Sequence, residues 1–156
     1  MTIADHLVVG EVGFAAWKSS DAFDPAYANP GVIEKVRHEF SIFPANTTGD
    51  VHVAERDGKV VGWTARDNAR DYISDVWVHP DHQGRGVGRA LVLHLLDRIG
   101  SEGLAKARIQ THASNSGALR LYQSCGFQIA WRGIEFSKSM GVDLEKVHLE
   151  MPLPPR

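Results

Sequence analysis

The sequence predicts an α+β fold in which helices flank a mixed central sheet. Three observations carry that reading. Apolar residues recur at the helical period up to about position 43, the pattern changes to period two at Asp50, and from Tyr72 a strand runs through a glycine-rich turn into an amphipathic helix.

Asp5 is placed to cap a helix over residues 6–19, with Leu7, Val8, Val12, Ala15 and Ala16 on its apolar face. Residues 21–31 include Phe23, Pro25, Tyr27, Asn29 and Pro30 and are read as irregular; a second helix is expected over residues 32–43, ending before Pro44. Val51 and Val53, the turn Asp57-Gly58, then Val60 and Val61 spell a hairpin whose second arm continues through Gly62-Trp63-Thr64. A third strand, residues 72–79, completes an antiparallel meander. Residues 87–99 form a helix that stops at Gly100 and packs on the sheet. Residues 105–111 give a strand, 115–124 a helix, and 127–136 and 147–151 the closing strands, an order that makes the centre of the sheet partly parallel.

At 156 residues the chain fits a single domain, residues 1–156, around one core. A formal net charge of -2 supplies no field to attract nucleic acid. No stretch approaches the ~20 apolar residues of a membrane span, and the first residues lack the basic leader of a signal peptide, so no membrane association and a cytoplasmic location are expected. Cys125 is the only cysteine, which excludes an intrachain disulfide and is read as a buried, inert thiol.

The most informative stretch is residues 72–89. Its glycines at alternate positions, Gly84, Gly86 and Gly88, let the backbone approach a ligand, and the helix that starts there aims unpaired N–H groups and a positive dipole end at it. The expected guest is a phosphate or pyrophosphate. A P-loop is excluded because Arg89-Ala90 follows Gly88 instead of Lys-Ser/Thr, and a dinucleotide fingerprint needs glycine where Arg89 stands.

The segment Gln83-Gly84-Arg85-Gly86-Val87-Gly88 resembles the coenzyme A signature of the GCN5-related N-acetyltransferases (GNAT), Gln/Arg-x-x-Gly-x-Gly/Ala directly after a strand. A second block, Asn115 through Tyr122 to Gly126-Phe127, is similar to a later motif of the same family, and the two together cover roughly residues 51–127. The resemblance implies the GNAT fold, a mixed sheet with a V-shaped splay between two parallel strands, and acetyl-CoA as cofactor. It places the pantetheine arm along Val76, Trp77 and Val78, with Val76 and Val78 supplying strand-like hydrogen bonds that the splay leaves free. The pyrophosphate lies against N–H groups of Gly84, Arg85, Gly86, Val87, Gly88 and Arg89, next to Gln83. Arg85 or Arg89 adds charge; for Arg89 a solvated helix charge is the other reading. Asn115 caps its helix and contacts the cofactor, and Tyr122, two helical turns on, is by analogy the general acid for the departing thiolate.

The family opens with a strand before its first helix, for which residues 1–3 leave little room: either that strand is vestigial, leaving an exposed sheet edge that invites pairing with another subunit in a homodimer, or the true start lies upstream. The family's glutamate bases fall here on Ser74 and Gln110, neither of which is a carboxylate. Asp75 is the replacement candidate, as base or as structural hydrogen-bond partner; His79 and His112 are others. His79 and His82 lack metal-ligand spacing, and no metal is expected. The acceptor is a small-molecule or protein amine, bounded by Trp17, Phe23, Tyr27, Phe40 and Phe43 and by the acids Asp21, Asp24, Glu34 and Glu39. The competing reading is a non-catalytic acyl-CoA-binding regulatory module.

Overall fold

The computed structural model describes residues 1–155 except Ala22, Tyr27, Asn68 and Ser139. In chain order the elements are α1 (His6–Ser19), α2 (Pro30–Asn46), β1 (Asp50–Arg56), β2 (Lys59–Arg66), β3 (Tyr72–Val78), α3 (Val87–Ser101), β4 (Lys106–His112), α4 (Ser116–Ser124), β5 (Gln128–Ser137) and β6 (Val142–Pro152). The six strands form one sheet ordered β1-β2-β3-β4-β6-β5, antiparallel throughout except for the central β3–β4 pair. Helices α3 and α4 cover one face through Val92, Leu95, Ile99 and Tyr122, packed on Ile73, Ile109, Val147 and Leu149. On the other face α1 lays Val9 and Val12 against Val51, Trp63 and Ala65. No helix among the described residues is long and apolar enough to cross a membrane.

The β3–β4 pair is short for a reason visible in its register. Only Tyr72 with Arg108 and Ile73 with Ile109 are partnered, whereas β3 stays on β2 as far as Val78 and β4 stays on β6 as far as His112. Beyond Ile73 the two strands follow different neighbours and separate. The closed end is clamped. The Arg108 guanidinium donates twice to the Asp71 carboxylate, 2.8 Å each, and the Arg108 N–H meets the Asp71 carbonyl at 2.8 Å. Nearby, Arg66 lies buried and is gripped from two sides by Asp50 and Glu102, at 3.0 and 2.9 Å, tying the end of β2 to the start of β1 and the end of α3.

The helices differ from the sequence expectation in instructive ways. Helix α2 starts two residues early because Asn29 caps it, accepting from the Val32 N–H at 3.0 Å, with Pro30 preset for the first turn. It also continues through Pro44 instead of ending before it. Pro44 has no N–H for the Phe40 carbonyl, and α1 comes so close there that a Cβ on Gly10 would lie 2.9 Å from that oxygen. In α1 the buried stripe is Val9, Val12, Ala16 and Trp17, while Leu7 is exposed. Gly13 turns the stripe, since a Cβ there would meet the Phe40 ring at 2.6 Å. Asp5 does not cap α1 through its side chain, which accepts from the Thr2 N–H at 2.7 Å. Before α1, residues 3–5 form a 3-10 turn, not a strand, and β1 is an outer strand of the sheet. The last strand is longer than expected because residues 142–146 continue the pairing of β6 with β5, whereas β5 keeps its expected length shifted by one residue.

Candidate active site

The splay opens onto a cleft of about 1120 Å³ that runs from the glycine turn, between β3 and β4, to the α1–α2 side of the sheet. A bulge shapes its wall. Ala65 pairs with Asp75 and the next residue, Arg66, pairs with Ile73, so Ser74 is the extra residue of β3. Ile73 therefore faces the α3–α4 core, while Asp75 and Trp77 turn to the α1–α2 face, where Trp77 meets Phe40 edge-on at 5.4 Å.

Asp75 is held by its neighbours. Trp77 Nε1 donates to one carboxylate oxygen at 3.0 Å, the Ser74 hydroxyl donates to the other at 2.8 Å, and the Thr64 hydroxyl fixes the backbone by donating to the Asp75 carbonyl at 2.7 Å. Desolvation by burial nevertheless raises the Asp75 pKa against the pull of the two side-chain bonds. The result is a carboxyl with more affinity for a proton than a surface aspartate, facing a cleft.

The ladder decides which backbone groups are free. The His79 N–H donates to the Val61 carbonyl at 2.9 Å, and Trp77 is in register with Trp63, so the odd positions of β3 point their amides at β2. Val76 and Val78 turn theirs to the gap. Trp77 is thus oriented away from it at the backbone, and its side chain serves Asp75 and the helical lobe. The Val78 carbonyl accepts from the Gln83 side-chain amide at 3.0 Å, so Gln83 stitches the turn to the strand.

Gly84 and Gly86 have φ of 72° and 83°, which only glycine adopts at little cost, and a Cβ on either would meet nothing within 4 Å. Gly88 differs. A Cβ there would lie 3.1 Å from Leu121 Cδ2, so it is small in order to let α3 pack on α4. Val87 is buried under β2 and β3 with Val61 and Leu91. Arg85 is exposed beside the turn. Arg89 is exposed at the edge of the cleft, and its guanidinium donates to the Ser124 carbonyl at 3.2 Å, capping the C-terminal end of α4.

On the opposite wall Asn115 accepts from the Ala118 N–H at 3.3 Å and caps α4. Tyr122, on that helix, is 6% exposed, lines the cleft and receives no protein hydrogen bond at its hydroxyl among the described residues. Its pKa is pushed up, first by desolvation and then by the negative charge of Asp75 and by Tyr72. The phenol therefore stays protonated, with Asp75 near enough for its charge to be felt.

The acids expected to form one wall separate. Asp21 accepts from the Ser116 hydroxyl at 2.9 Å and the Gly117 N–H at 3.3 Å, docking the α1–α2 connection on the start of α4. Glu39 borders the cleft, whereas Glu34 pairs with Arg37 and Asp24 with the Ala26 N–H. Trp17, Phe40 and Phe43 line the cleft, Phe23 packs edge-on against Trp17, and Tyr27 lies outside the described residues. His79 is turned to the Asp81 N–H, and His112 borders the cleft with its pKa lowered by desolvation and by Lys146.

The fold and this cleft have a recognisable counterpart. The model of the acetyltransferase (GNAT) family matches residues 17–127. The chain belongs to the GNAT family. It is similar to the [ribosomal protein bS18]-alanine N-acetyltransferase of Escherichia coli (strain K12), 43% identical over 56 residues that make up 36% of this chain and 38% of that protein. It is also similar to the L-amino acid N-acyltransferase MnaT of the same organism, 31% identical over 113 residues, 68% of this chain and 66% of the relative. The solved structure of the PaiA N-acetyltransferase from Thermoplasma acidophilum in complex with coenzyme A shares the fold with a TM-score of 0.74 at 18% identity, covering 97% of this chain and 95% of that one.

Within this GNAT chain, three contributors escaped sequence reading: the Ser74 bulge, the Asp21 bridge and the Arg89 cap. The bulge carries no local signal. The other two join residues distant in sequence, and only their polarity beside helix termini hinted at them.

Proposed function

We propose that the protein is an N-acetyltransferase that moves the acetyl group of acetyl-CoA to a primary amine by direct attack in a ternary complex. The observation that carries this reading is a parallel pair opened beside a glycine turn, with amides of Val76 and Val78 facing the gap and Asp75 and Tyr122 at its walls. The residues fit the cofactor. An amide-bearing pantetheine satisfies free strand groups as another strand would, and the turn has open space at Gly84 and Gly86 where a side chain would otherwise stand. The diphosphate lies against the N–H groups of residues 84–89, with Arg85 the exposed cation beside them; Asn115 flanks the pantetheine.

Acetyl-CoA supplies an acyl thioester and a thiolate leaving group. Asp75, with its raised proton affinity, takes a proton from the incoming ammonium or amine, directly or through one water. Tyr122 holds the proton that the departing sulfur needs, and burial keeps that phenol neutral at physiological pH. Trp77 and Ser74 orient the base, and Trp17 and Phe40 bound the acceptor. The named relatives act on a ribosomal-protein alanine and on L-amino acids, so an α-amine is the acceptor class that the comparison favours. A chain-terminal α-amine near pKa ~7.8 loses about 1 kcal/mol on deprotonation at pH 7, against roughly 4.6 for a lysine-like amine, and the more basic amine of a free amino acid falls between them.

Calorimetry with acetyl-CoA and free-thiol release on an amine panel test the proposal. Heat of binding followed by thiol release with an α-amine is expected. Binding without release on any amine would favour the regulatory-module alternative, and no binding would refute both.

Self-association is part of the same reading. Four exposed apolar side chains lie on one outer strand of the sheet: Ile129, Trp131, Ile134 and Phe136 of β5 are 42–66% exposed. A two-fold axis through Ile134 would place Arg132 of one copy beside Phe136 of the other and extend the sheet across both.

A further inference from the structure

The cleft holds a charge that the transfer chemistry leaves unused. Lys146 of β6 stands opposite His112 of β4, and both border the cleft. Their direction follows from their neighbours. Ile109, Val147 and Leu149 point into the α3–α4 core, so by strand alternation Gln110, His112 and Lys146 point to the other face, which Asp75 and Trp77 also share. The Lys146 side chain is half-buried, and among the described residues its ammonium has no hydrogen bond or ion pair.

The remaining charges on that cleft are engaged or lie elsewhere. Asp21 serves the start of α4, Asp75 is held by Trp77 and Ser74, and Arg89 serves the end of α4. Glu39 of α2 and Asp67 also border the cleft, and the Arg120 guanidinium of α4 reaches its edge from an exposed position. The acceptor side is therefore bipolar, with carboxylates toward β3 and α2 and an ammonium beside an imidazole toward β4 and β6. A half-buried, unpaired lysine in a confined cleft favours an anionic guest, because its field is screened little there. It equally disfavours a polycation.

Resting on the transferase reading above, we propose that the acceptor is an amine that also carries a carboxylate, such as a free α-amino acid, with its carboxylate at Lys146 and His112 and its amine toward Asp75. Strands β3, β4 and β6 are successive neighbours, so the two ends are separated by roughly two strand spacings of ~4.8 Å, widened by the splay. The flexible four-carbon stem of Lys146 can reach back over His112 toward a small zwitterion held at Asp75. Lys146 is here a specificity residue that touches substrate and takes no part in proton transfer.

The test compares amino acids with their matched carboxamides, for example methionine with methioninamide and phenylalanine with phenylalaninamide, by thiol release at saturating acetyl-CoA. KM is expected to be at least about tenfold lower for the acid. Lys146→Gln should raise KM for the acids about tenfold with kcat changed less than threefold, leave the amides unaffected, and be partly rescued by Lys146→Arg. Thermal protection of the CoA-loaded protein by the amino acid should be lost in Lys146→Gln alone. Turnover of the amide equal to or better than the acid, or equal damage to both in Lys146→Gln, overturns this inference while leaving the transferase reading standing. Absence of thiol release with every amine overturns that reading and this one together.

Discussion

Replacing Asp75 by asparagine separates catalysis from stability. Trp77 Nε1 donates at 3.0 Å to the oxygen that an asparagine keeps. The Ser74 hydroxyl donates at 2.8 Å to the oxygen that becomes an amide, but the Ala65 carbonyl lies 3.2 Å from the same hydroxyl, which can turn to it and accept the new N–H. Both contacts survive, so the variant should fold. Desolvation outweighs these bonds and raises the Asp75 pKa above its unfolded value. A carboxyl so shifted contributes its full stability below the unfolded pKa and loses it as pH rises through the folded pKa. Asp75→Asn should therefore match the wild type near pH 3.5, gain relative to it as pH rises, and reach a constant advantage above the folded pKa. Activity moves the other way. General-base catalysis contributes 10²–10⁴-fold, about 2.7 to 5.4 kcal/mol of barrier, so kcat/KM should fall by about that factor, and the acid limb of its pH profile should lose the Asp75 ionisation. The assay is thiol release across pH 5–9 beside chemical denaturation from pH 3.5 to 9. A variant with kcat/KM within threefold of wild type and an unchanged profile would refute Asp75 as base. A variant destabilised at pH 7 would refute the claim that desolvation dominates.

Tyr122→Phe removes only a hydroxyl, so turnover should fall at least about tenfold while acetyl-CoA affinity measured by calorimetry changes less than twofold. Because Arg89 caps α4, Arg89→Ala should lower stability by about 0.5–1 kcal/mol in denaturant melts and barely alter cofactor affinity; Arg85→Ala should weaken binding and flatten its salt dependence. Arg66→Met leaves two carboxylates without their guanidinium and should cost roughly 3 kcal/mol at pH 7. Burial raises the Asp50 pKa but bonds from Arg66 and His52 outweigh it, and bonds from Arg66 lead the downward shift of Glu102, so both sit at about 2. Their stabilisation is present above the unfolded carboxyl range and lost as pH falls toward 2, and urea melts from pH 5 to 2 should show the loss in wild type and much less of it in Arg66→Met. Ile134→Lys should convert a dimer to monomer in light scattering without altering the melting temperature of the monomer; a wild type that is monomeric at high concentration would remove the β5 interface.

The order of helices and strands, the hairpin turn at Asp57-Gly58 and the glycine turn after β3 were legible because each is a local matter. Period, caps and positive φ act within a few residues, and a chain need not be folded to display them. Element ends were less legible where tertiary packing overrides a local rule, as at Pro44, whose missing hydrogen bond is tolerated against the close backbone of α1. Candidate residues such as Asp75, Asn115 and Tyr122 could be named from residue type and spacing, but not what each touches. Only the folded chain decided that Ser74 bulges and swings Asp75 onto the α1–α2 face, that Gly88 is small for Leu121, that Arg89 serves α4, and that Lys146 stands beside His112 on the cleft. Those facts arise from contacts between residues far apart in sequence, whose energies depend on which strands diverge and what water is excluded. The residues of a site are written in the chain; their partners, proton affinities and directions belong to the packing.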